Sequence, residues 1–235
     1  MTHTHIIGLI SLFLLLASCG DKYGNCITYY EDGETIRTVV PCNMSKGIKN
    51  GVMKTYRKNG DIWNTKTYVD NVVEDTTKYY YSYGGELLKT VPMAKGERNG
   101  QSVEYYRNGQ VKAETDYTNN KKDGAKREYT KKGKLLLEEF YKKGLKEKVA
   151  SYYFDKGEIL REKISYIQDV RNGAYEQYNE KGKLLLKGAY KNGKPINKWT
   201  IRTSYGNLVT TTPREILYVY YSEAQKIDKY FFENL

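Results

Sequence analysis

Apolar residues recur along this chain at fixed distances from a repeated glycine. The glycines are Gly33, Gly60, Gly85, Gly109, Gly133, Gly157, Gly182 and Gly206, with gaps of 24 to 27 residues. Tyrosine stands four residues earlier in seven units, at Tyr29, Tyr56, Tyr81, Tyr105, Tyr129, Tyr153 and Tyr178. An aliphatic residue stands two residues later, at Ile62, Leu87, Val111, Leu135, Ile159, Leu184 and Leu208. This period predicts an array of small units that bury their apolar faces against their neighbours.

Each unit has the pattern of a β-hairpin. In "YNEKGKL", residues 180–182 form a three-residue loop if Gly182 takes the left-handed conformation, and Tyr178 then lies opposite Leu184. Side chains alternate along a strand, so the positions two and eight after the glycine are expected to share one face. The eighth position holds Tyr68, Met93, Tyr117, Tyr141 and Tyr190.

Short turns separate the hairpins. We predict them at Asn50-Gly51, Asn99-Gly100, Asp123-Gly124, Asn172-Gly173 and Asn192-Gly193, because Asn, Asp and Gly tolerate positive φ. No crossover helix of a dozen or more residues fits between strands, which excludes a parallel sheet. The predicted fold is all-β: an elongated, twisted antiparallel meander of about eight serial β-hairpin repeats with a period of about 24 residues.

The chain is basic and rich in tyrosine. It carries a formal net charge of +11 and contains 25 tyrosines against 5 phenylalanines. A basic balance favours acidic partners such as anionic lipid headgroups, lipopolysaccharide, acidic glycans or a negatively charged protein. Alternatively, the lysine-rich turns are simply solvated and protect the sheet from aggregation.

The N-terminus has the pattern of an export signal. Residues 6–18 are apolar and too short for a stable spanning helix, and the run ends in a small residue directly before Cys19. This arrangement resembles the lipobox of bacterial lipoproteins, although the preceding region lacks Lys and Arg. The resemblance implies cleavage before Cys19, lipid acylation of that cysteine and a location at the bacterial cell envelope, either outer-membrane, periplasmic or surface-exposed. A buried apolar strand or helix is the alternative for this segment.

Two further cysteines flank the first hairpin. Cys26 and Cys42 stand at strand ends that the Asp32-Gly33 turn would bring together, and an exported protein lies where disulfides persist. A disulfide between them is therefore expected, unless the chain leaves the sheet near Pro41 and carries Cys42 away.

Catalytic chemistry is absent from the predicted mature chain. Cleavage before Cys19 removes both histidines, which excludes Ser-His-Asp and Cys-His systems. The phosphate-binding, dinucleotide-binding and calcium-binding motifs are missing as well. We therefore expect no enzyme activity, no cofactor and no metal, and export argues against a nucleic-acid partner.

The units around "GAYEQYNEKGKLLLKGAYKNGK" resemble the bacterial variant of the MORN repeat. The family motif is matched at Tyr178, Gly182, Leu184, Tyr190 and Gly193, and the resemblance covers residues 24–212. It implies a sheet of serial hairpins and an association with membrane lipids or scaffolding. Many bacterial members carry the label of an antitoxin component of a toxin–antitoxin system.

These observations divide the chain into four segments. Residues 1–18 are a lipoprotein signal peptide, 19–23 a short tether, 24–212 the repeat array and 213–235 a degenerate C-terminal capping segment. Within the last segment, residues 222–235 form either a terminal strand pair or a short helix capped at Ser222.

The sequence leaves two classes of function. The first is a non-enzymatic, membrane-anchored binding or scaffolding platform, and the alternative is an antitoxin or immunity-type protein that neutralises a partner toxin. A tentative binding face consists of Tyr105, Tyr129, Tyr153 and Tyr178 with the loop lysines Lys131, Lys132 and Lys134. Packing within the sheet is the alternative role for these tyrosines.

Overall fold

A computed structural model describes residues 23–203 and 205–219 of the chain. These residues form one antiparallel sheet of 18 strands and a single short helix. The elements are β1 (Tyr23–Tyr29), β2 (Ile36–Asn43), β3 (Ile48–Lys49), β4 (Gly51–Tyr56), β5 (Ile62–Val69), β6 (Val72–Tyr80), β7 (Leu87–Ala94), β8 (Glu97–Arg98), β9 (Gly100–Tyr105), β10 (Val111–Thr118), β11 (Lys121–Tyr129), β12 (Leu135–Lys142), β13 (Leu145–Tyr153), β14 (Leu160–Ile167), β15 (Val170–Tyr178), β16 (Leu184–Lys191), β17 (Lys194–Arg202), β18 (Leu208–Thr211) and α1 (Pro213–Val219). The predicted all-β antiparallel meander is confirmed.

The strands pair in chain order. β3 with β4, and β8 with β9, each form one interrupted strand against a shared partner, and every other strand pairs with the strands next to it in sequence. The described sheet is therefore open, with β1 and β18 at its edges. At about 4.8 Å between strands it extends over roughly 70 Å. Because contacts run between neighbours, each hairpin is stabilised mainly by the two beside it.

The glycine loops have the predicted three-residue geometry in five of the eight units. The Asn179 N–H donates to the Lys183 carbonyl at 3.0 Å, and the Gly182 N–H donates to the Asn179 carbonyl at 2.8 Å. Gly182 has a φ of 71°, and Tyr178 pairs with Leu184 as predicted. The same pairing holds for Tyr56 with Ile62, Tyr105 with Val111, and Tyr129 with Leu135.

Two predicted pairs are wrong because their loops contain one more residue. The Tyr81 N–H bonds to the Glu86 carbonyl, so Tyr80 rather than Tyr81 lies opposite Leu87. In the same way, the Phe154 N–H bonds to the Ile159 carbonyl. Leu160, not Ile159, therefore lies opposite Tyr153. The first hairpin also has the longer loop and pairs Tyr29 with Ile36.

A β-bulge follows each glycine loop up to the one around Gly182 and changes the predicted faces. Tyr129 pairs with Leu135, but the residue before Tyr129 pairs with Leu137, which leaves one residue between the two leucines unpaired. Alternation then places Leu137, Glu139 and Tyr141 on one face and Tyr129 on the other. The expectation that the tyrosines before and after the loop share a face is therefore wrong, since it assumed unbroken alternation.

The tight turns lie four residues before three of the five predicted positions. Residues with positive φ at both turn positions are Asp70-Asn71, Lys95-Gly96, Asn119-Asn120, Lys143-Gly144, Gln168-Asp169 and Asn192-Gly193, so only the last predicted turn is confirmed. The other predicted glycines lie within or at the start of strands. Gly124, for example, has a φ of 131°, and a Cβ there would lie 2.6 Å from the Asp116 carboxylate. The turn residues and these strand glycines both have positive φ, so residue type alone did not separate them.

Buried side chains of the strands lie almost entirely on one face, which we call the core face. Its central row runs through Thr38, Thr55, Asn64, Tyr79, Lys89, Glu104, Ala113, Glu128, Leu137, Tyr152, Glu162, Gln177, Leu186 and Ile201. The opposite row defines the outer face: Val39, Lys54, Thr65, Lys78, Thr90, Val103, Glu114, Arg127, Glu138, Ser151, Lys163, Glu176, Lys187 and Thr200.

A connected cluster of buried apolar side chains lies on the core face near the C-terminal end. There Tyr175, Tyr190 and Trp199 pack with ring centroids 5.2 to 5.6 Å apart. The Trp199 ring occupies the space that a Cβ at position 188 would need, because that atom would lie 2.0 Å from Trp199 Cδ2. Ile216 of α1 is fully buried against this cluster, so the helix covers the core face at this end.

Helix α1 begins with a capping box. The Glu215 N–H donates to Thr212 Oγ1 at 3.3 Å, and the Thr212 N–H donates to Glu215 Oε2 at 2.9 Å, while Pro213 takes the first helical position. This helix was not predicted, although "TPRE" carries both signals. The choice between a strand pair and a helix at residues 222–235 lies outside the described residues.

Candidate binding surface

Tyrosines and cations alternate along the core face near the tight turns. In five repeats, the tyrosine eight or nine residues after the loop glycine lies under a Lys or Arg side chain from the first strand of the same hairpin. We call this the cation–tyrosine row. It consists of Lys49 over Tyr68 at 5.3 Å, Arg98 over Tyr117 at 4.3 Å, Lys122 over Tyr141 at 4.5 Å, Lys146 over Tyr166 at 5.3 Å and Arg171 over Tyr190 at 5.4 Å from the ring centroid. Each contact contributes roughly 0.5–1 kcal/mol at a partly exposed site.

The row follows from the repeat geometry. In the direct strand pairing, Tyr117 lies opposite Lys122 and Tyr141 lies opposite Lys146. Tyr117, Tyr141 and Tyr166 therefore each stand between a cation of their own hairpin and a cation of the next hairpin, whereas Tyr68 lies opposite Val73 and Tyr190 opposite Pro195. Because the spacing repeats, the chain presents five cations in one line across the sheet.

The row was missed in the sequence, although a signal exists. Four of the five cations stand two residues before a glycine, as in "KNG", "RNG" and "KDG", and the tyrosine follows each of these four 19 residues later. The tyrosine positions were recognised, but the cations were assigned only to an overall basic charge.

Glu139 organises the centre of this surface. Its side chain is 6% exposed and accepts hydrogen bonds from Lys146 Nζ at 2.6 Å and from the Tyr141 and Tyr152 hydroxyls at 2.7 Å each. Burial by itself raises the pKa of this carboxyl, but the three hydrogen bonds outweigh burial and lower the pKa to about 2. Burial and the bond to Glu139 raise the pKa of both tyrosines. The carboxylate is therefore ionised and the phenols are neutral at pH 7.

Lys122 lies beside this cluster with a different balance of charge. Burial and the nearby ammonium groups of Lys126 and Lys146 lower its pKa, despite the opposing effect of Glu139. Within residues 23–203 and 205–219, Lys122 has no carboxylate at ion-pair distance. Like charges held together on a half-buried face favour binding of an anion, because an anion relieves their mutual repulsion.

The predicted tyrosine face lies on the other side of the sheet. Tyr105, Tyr129, Tyr153 and Tyr178 each end a strand at equivalent positions on the outer face and are half-buried. The Tyr129 hydroxyl donates to Glu114 at 2.9 Å, and burial together with this bond raises its pKa to about 12. Tyr178 bonds to Glu176 in the same way, with a pKa raised to about 12. A binding role for this face stays a prediction.

The three predicted lysines differ in their surroundings. Lys131 and Lys132 are exposed in the loop before Gly133. Lys134 is half-buried, and its ammonium group pairs with Glu158 of the next hairpin loop. The structure thus leaves two of the three available to a partner and uses the third to join neighbouring hairpins.

Loop side chains on this edge also join successive hairpins in the N-terminal half. Four donors reach the tyrosine carbonyl that ends a strand of the next hairpin: Tyr30 to Tyr56 at 2.7 Å, Arg57 to Tyr80 at 3.0 Å, Tyr81 to Tyr105 at 2.8 Å and Tyr106 to Tyr129 at 2.7 Å. These bonds fix the spacing of the glycine loops.

Cys26 and Cys42 form a disulfide in the structure, with their Cα atoms 5.8 Å apart. Pro41 pairs with Asn25 inside the β1–β2 ladder, so the chain does not leave the sheet there. Cys19, residues 1–18 and most of the 19–23 tether lie outside the described residues. No helix in the described part of the chain is long and apolar enough to cross a membrane. The same residues contain no cluster of three metal-ligating side chains.

Comparison with known proteins supports the repeat assignment. Residues 98–119 and 171–192 match the family described as MORN repeat variant. No curated protein matches the chain. Two structurally similar chains come from crystal structures of a GtfA/B complex bound to UDP and GlcNAc, and of accessory secretory proteins 1, 2 and 3 in Streptococcus pneumoniae. They share 16% and 12% identity with a TM-score of 0.22 each, over 60% and 64% of this chain and 31% and 24% of theirs.

Proposed function

We propose that this chain is a non-enzymatic binding or scaffolding platform of the bacterial cell envelope, held to the membrane by a lipid at Cys19. The cation–tyrosine row is the observation that carries the binding part of the proposal. MORN repeats are generally binding modules, which agrees with a role that needs no catalytic site. The anchoring part is supported by the apolar segment and the cysteine that ends it.

The row suits an extended acidic partner, either a lipid headgroup surface or an acidic glycan. Lys146 of the row is already paired with Glu139, but the line of cations as a whole matches a repeated negative charge better than a single small anion does. Lys122 contributes most, because its charge is half-buried and lacks a carboxylate partner among the described residues. The tyrosine rings hold the cations in place and add a flat surface for sugar or headgroup contacts.

Binding is tested by two matched double variants of the full chain. Lys49→Gln/Lys122→Gln removes two charges from the row, and Lys131→Gln/Lys132→Gln removes two from the loop of the outer face. Retention on vesicles of phosphatidylglycerol and on immobilised heparin should fall about tenfold for the row variant and change little for the loop variant, and both should weaken with salt. A loss confined to the loop variant would reject the row in favour of the outer-face prediction. No loss in either variant would reject both acidic-partner surfaces.

Anchoring is tested separately. Cys19→Ala should move the protein out of the detergent phase and abolish labelling by a fatty-acid analogue, whereas Cys26→Ala should keep the label. Equal labelling of the wild type and Cys19→Ala would reject the lipid anchor. Recovery of one stoichiometric protein partner from intact membranes would support the alternative, a neutralising role against a toxin.

A further inference from the structure

The third repeat contains a cavity of about 520 Å³ on the core face. Its volume lies within the range of small-molecule sites, roughly 300–1,000 Å³. Thr77 and Val91, both buried, lie among its walls. The remaining lining residues are Lys66, Val73, Tyr79, Leu88, Lys89, Met93, Gly96, Arg98 and Asn120.

The cavity lies where the cation–tyrosine row is interrupted. Met93 takes the position of the row tyrosine, opposite Arg98, as Tyr117 lies opposite Lys122 in the next repeat. Val73 takes the position of the row cation, so neither of the two large side chains is present. The space that a ring and a cation fill in other repeats is therefore open here, and Val73, Val91 and Met93 form an apolar wall of it.

The polar groups around this space are basic. Lys66, Lys89 and Arg98 line the cavity, and no Asp or Glu does. Lys89 pairs with Glu104 at 2.7 Å, just outside the lining. The Arg98 guanidinium donates to the Asn120 carbonyl at 2.9 Å, which fixes its direction. Lys66 has no carboxylate partner in the described part of the chain.

We propose that this cavity binds a small monocarboxylate with a short apolar tail. The carboxylate pairs with Lys66 and Arg98, and the tail lies against Val73, Val91 and Met93. One unpaired ammonium and one fixed guanidinium suit a single negative charge, since the third cation is already neutralised. The apolar wall excludes a compact polyanion, because some of its negative groups would lie against the Val and Met side chains without a cationic partner. Arg98 also belongs to the cation–tyrosine row, but binding in the cavity does not depend on the proposed function.

Isothermal titration calorimetry of the full chain with octanoate tests the proposal. Octanoate should bind at one site, and octanol, octylamine and citrate should each bind at least tenfold more weakly. Met93→Tyr restores the row side chain and fills the cavity, so it should abolish octanoate binding without lowering the thermal midpoint. Lys66→Gln should weaken binding about tenfold, and it serves as the test if Met93→Tyr fails to fold. Lys54→Gln, on the outer face of the neighbouring strand, is the matched control and should bind as the wild type does.

Several results would overturn the site. Absence of octanoate binding rejects it directly. Equal binding of octanol rejects the role of the charge, and equal binding of citrate rejects the role of the apolar wall. Unchanged octanoate binding by Lys66→Gln, or by a folded Met93→Tyr variant, places the ligand elsewhere. Vesicle retention by the Lys49→Gln/Lys122→Gln pair reports on the row alone, so failure of either proposal is distinguishable from failure of the other.

Discussion

Replacing Glu139 with glutamine removes the charge at the centre of the core face while keeping the size of the side chain. The hydrogen bonds from Lys146, Tyr141 and Tyr152 lower the pKa of Glu139 from an ordinary value of 4.5 to about 2. This depression corresponds to roughly 3 kcal/mol of folding free energy at neutral pH. Solvent reaches part of this cluster, so screening reduces the expected loss in Glu139→Gln to about 2 kcal/mol.

The loss should depend on pH in one direction. A carboxyl with a depressed folded pKa contributes stability that is fully present above its unfolded pKa, here about 4.5, and is lost as the pH falls toward about 2. With these two values, more than half of the contribution is gone by pH 3. The free energy of unfolding, measured with urea between pH 3 and 8 by circular dichroism, should therefore differ most between wild type and variant at pH 6–8.

Glu138→Gln is the matched control. Glu138 is the next residue in the strand but lies on the outer face, where it pairs with Arg127 at 2.7 Å and its side chain is 27% exposed. We expect this variant to lose less than about 1 kcal/mol. Equal losses in the two variants, or a Glu139→Gln deficit that stays constant down to pH 3, would refute the assignment of Glu139 as the charged centre of the core face.

Three further changes test the packing. Gly188→Ala should destabilise by more than about 2 kcal/mol, because its Cβ would overlap the buried Trp199 ring, and the midpoint of urea unfolding should fall well below that of Ala189→Gly. Tyr106→Phe should cost about 1 kcal/mol by removing the hydroxyl that joins two glycine loops, and an equal midpoint would show that this bond contributes nothing. Cys26→Ser should lower stability by about 3 kcal/mol in oxidising buffer, since the disulfide closes a separation of 16 residues, and should show no difference from the wild type under reduction.

The sequence predicted the fold because each signal in it is local and repeated. A glycine at a left-handed loop position fixes its own hairpin, and Gly182 does so with the loop bonds that the spacing implied. The same glycine recurs in seven further units, so a unit with an irregular loop does not change the predicted fold. Even where a loop gains a residue, as between Tyr81 and Glu86, the meander continues with only the local pair changed.

The faces of the sheet could not be predicted in the same way. One unpaired residue beside Tyr129 reverses the alternation, and no residue type marks it, because any side chain can occupy an extended bulge position. The tyrosines before and after the loop were therefore expected on one face, although they lie on opposite faces. The row was missed for a related reason. The contact between Lys122 and Tyr141 depends on the position of the turn and on the register of two strands, and neither can be read from the residue types.

The composition of the core face follows from the way the two ends are held. At the N-terminal end, a disulfide ties β1 to β2, and at the C-terminal end α1 covers Trp199 and its neighbours. A repeat array is approximately a sum of local terms, so end units that are fixed by other means relieve the middle units of burying a large apolar area. The middle repeats can then place ionised and phenolic groups on the core face, provided that each is paired. Glu139 is paired with three hydrogen-bond donors, whereas Lys122 is paired only with an aromatic ring. The exposed side of Lys122 is therefore the part of the row best suited to an external anion.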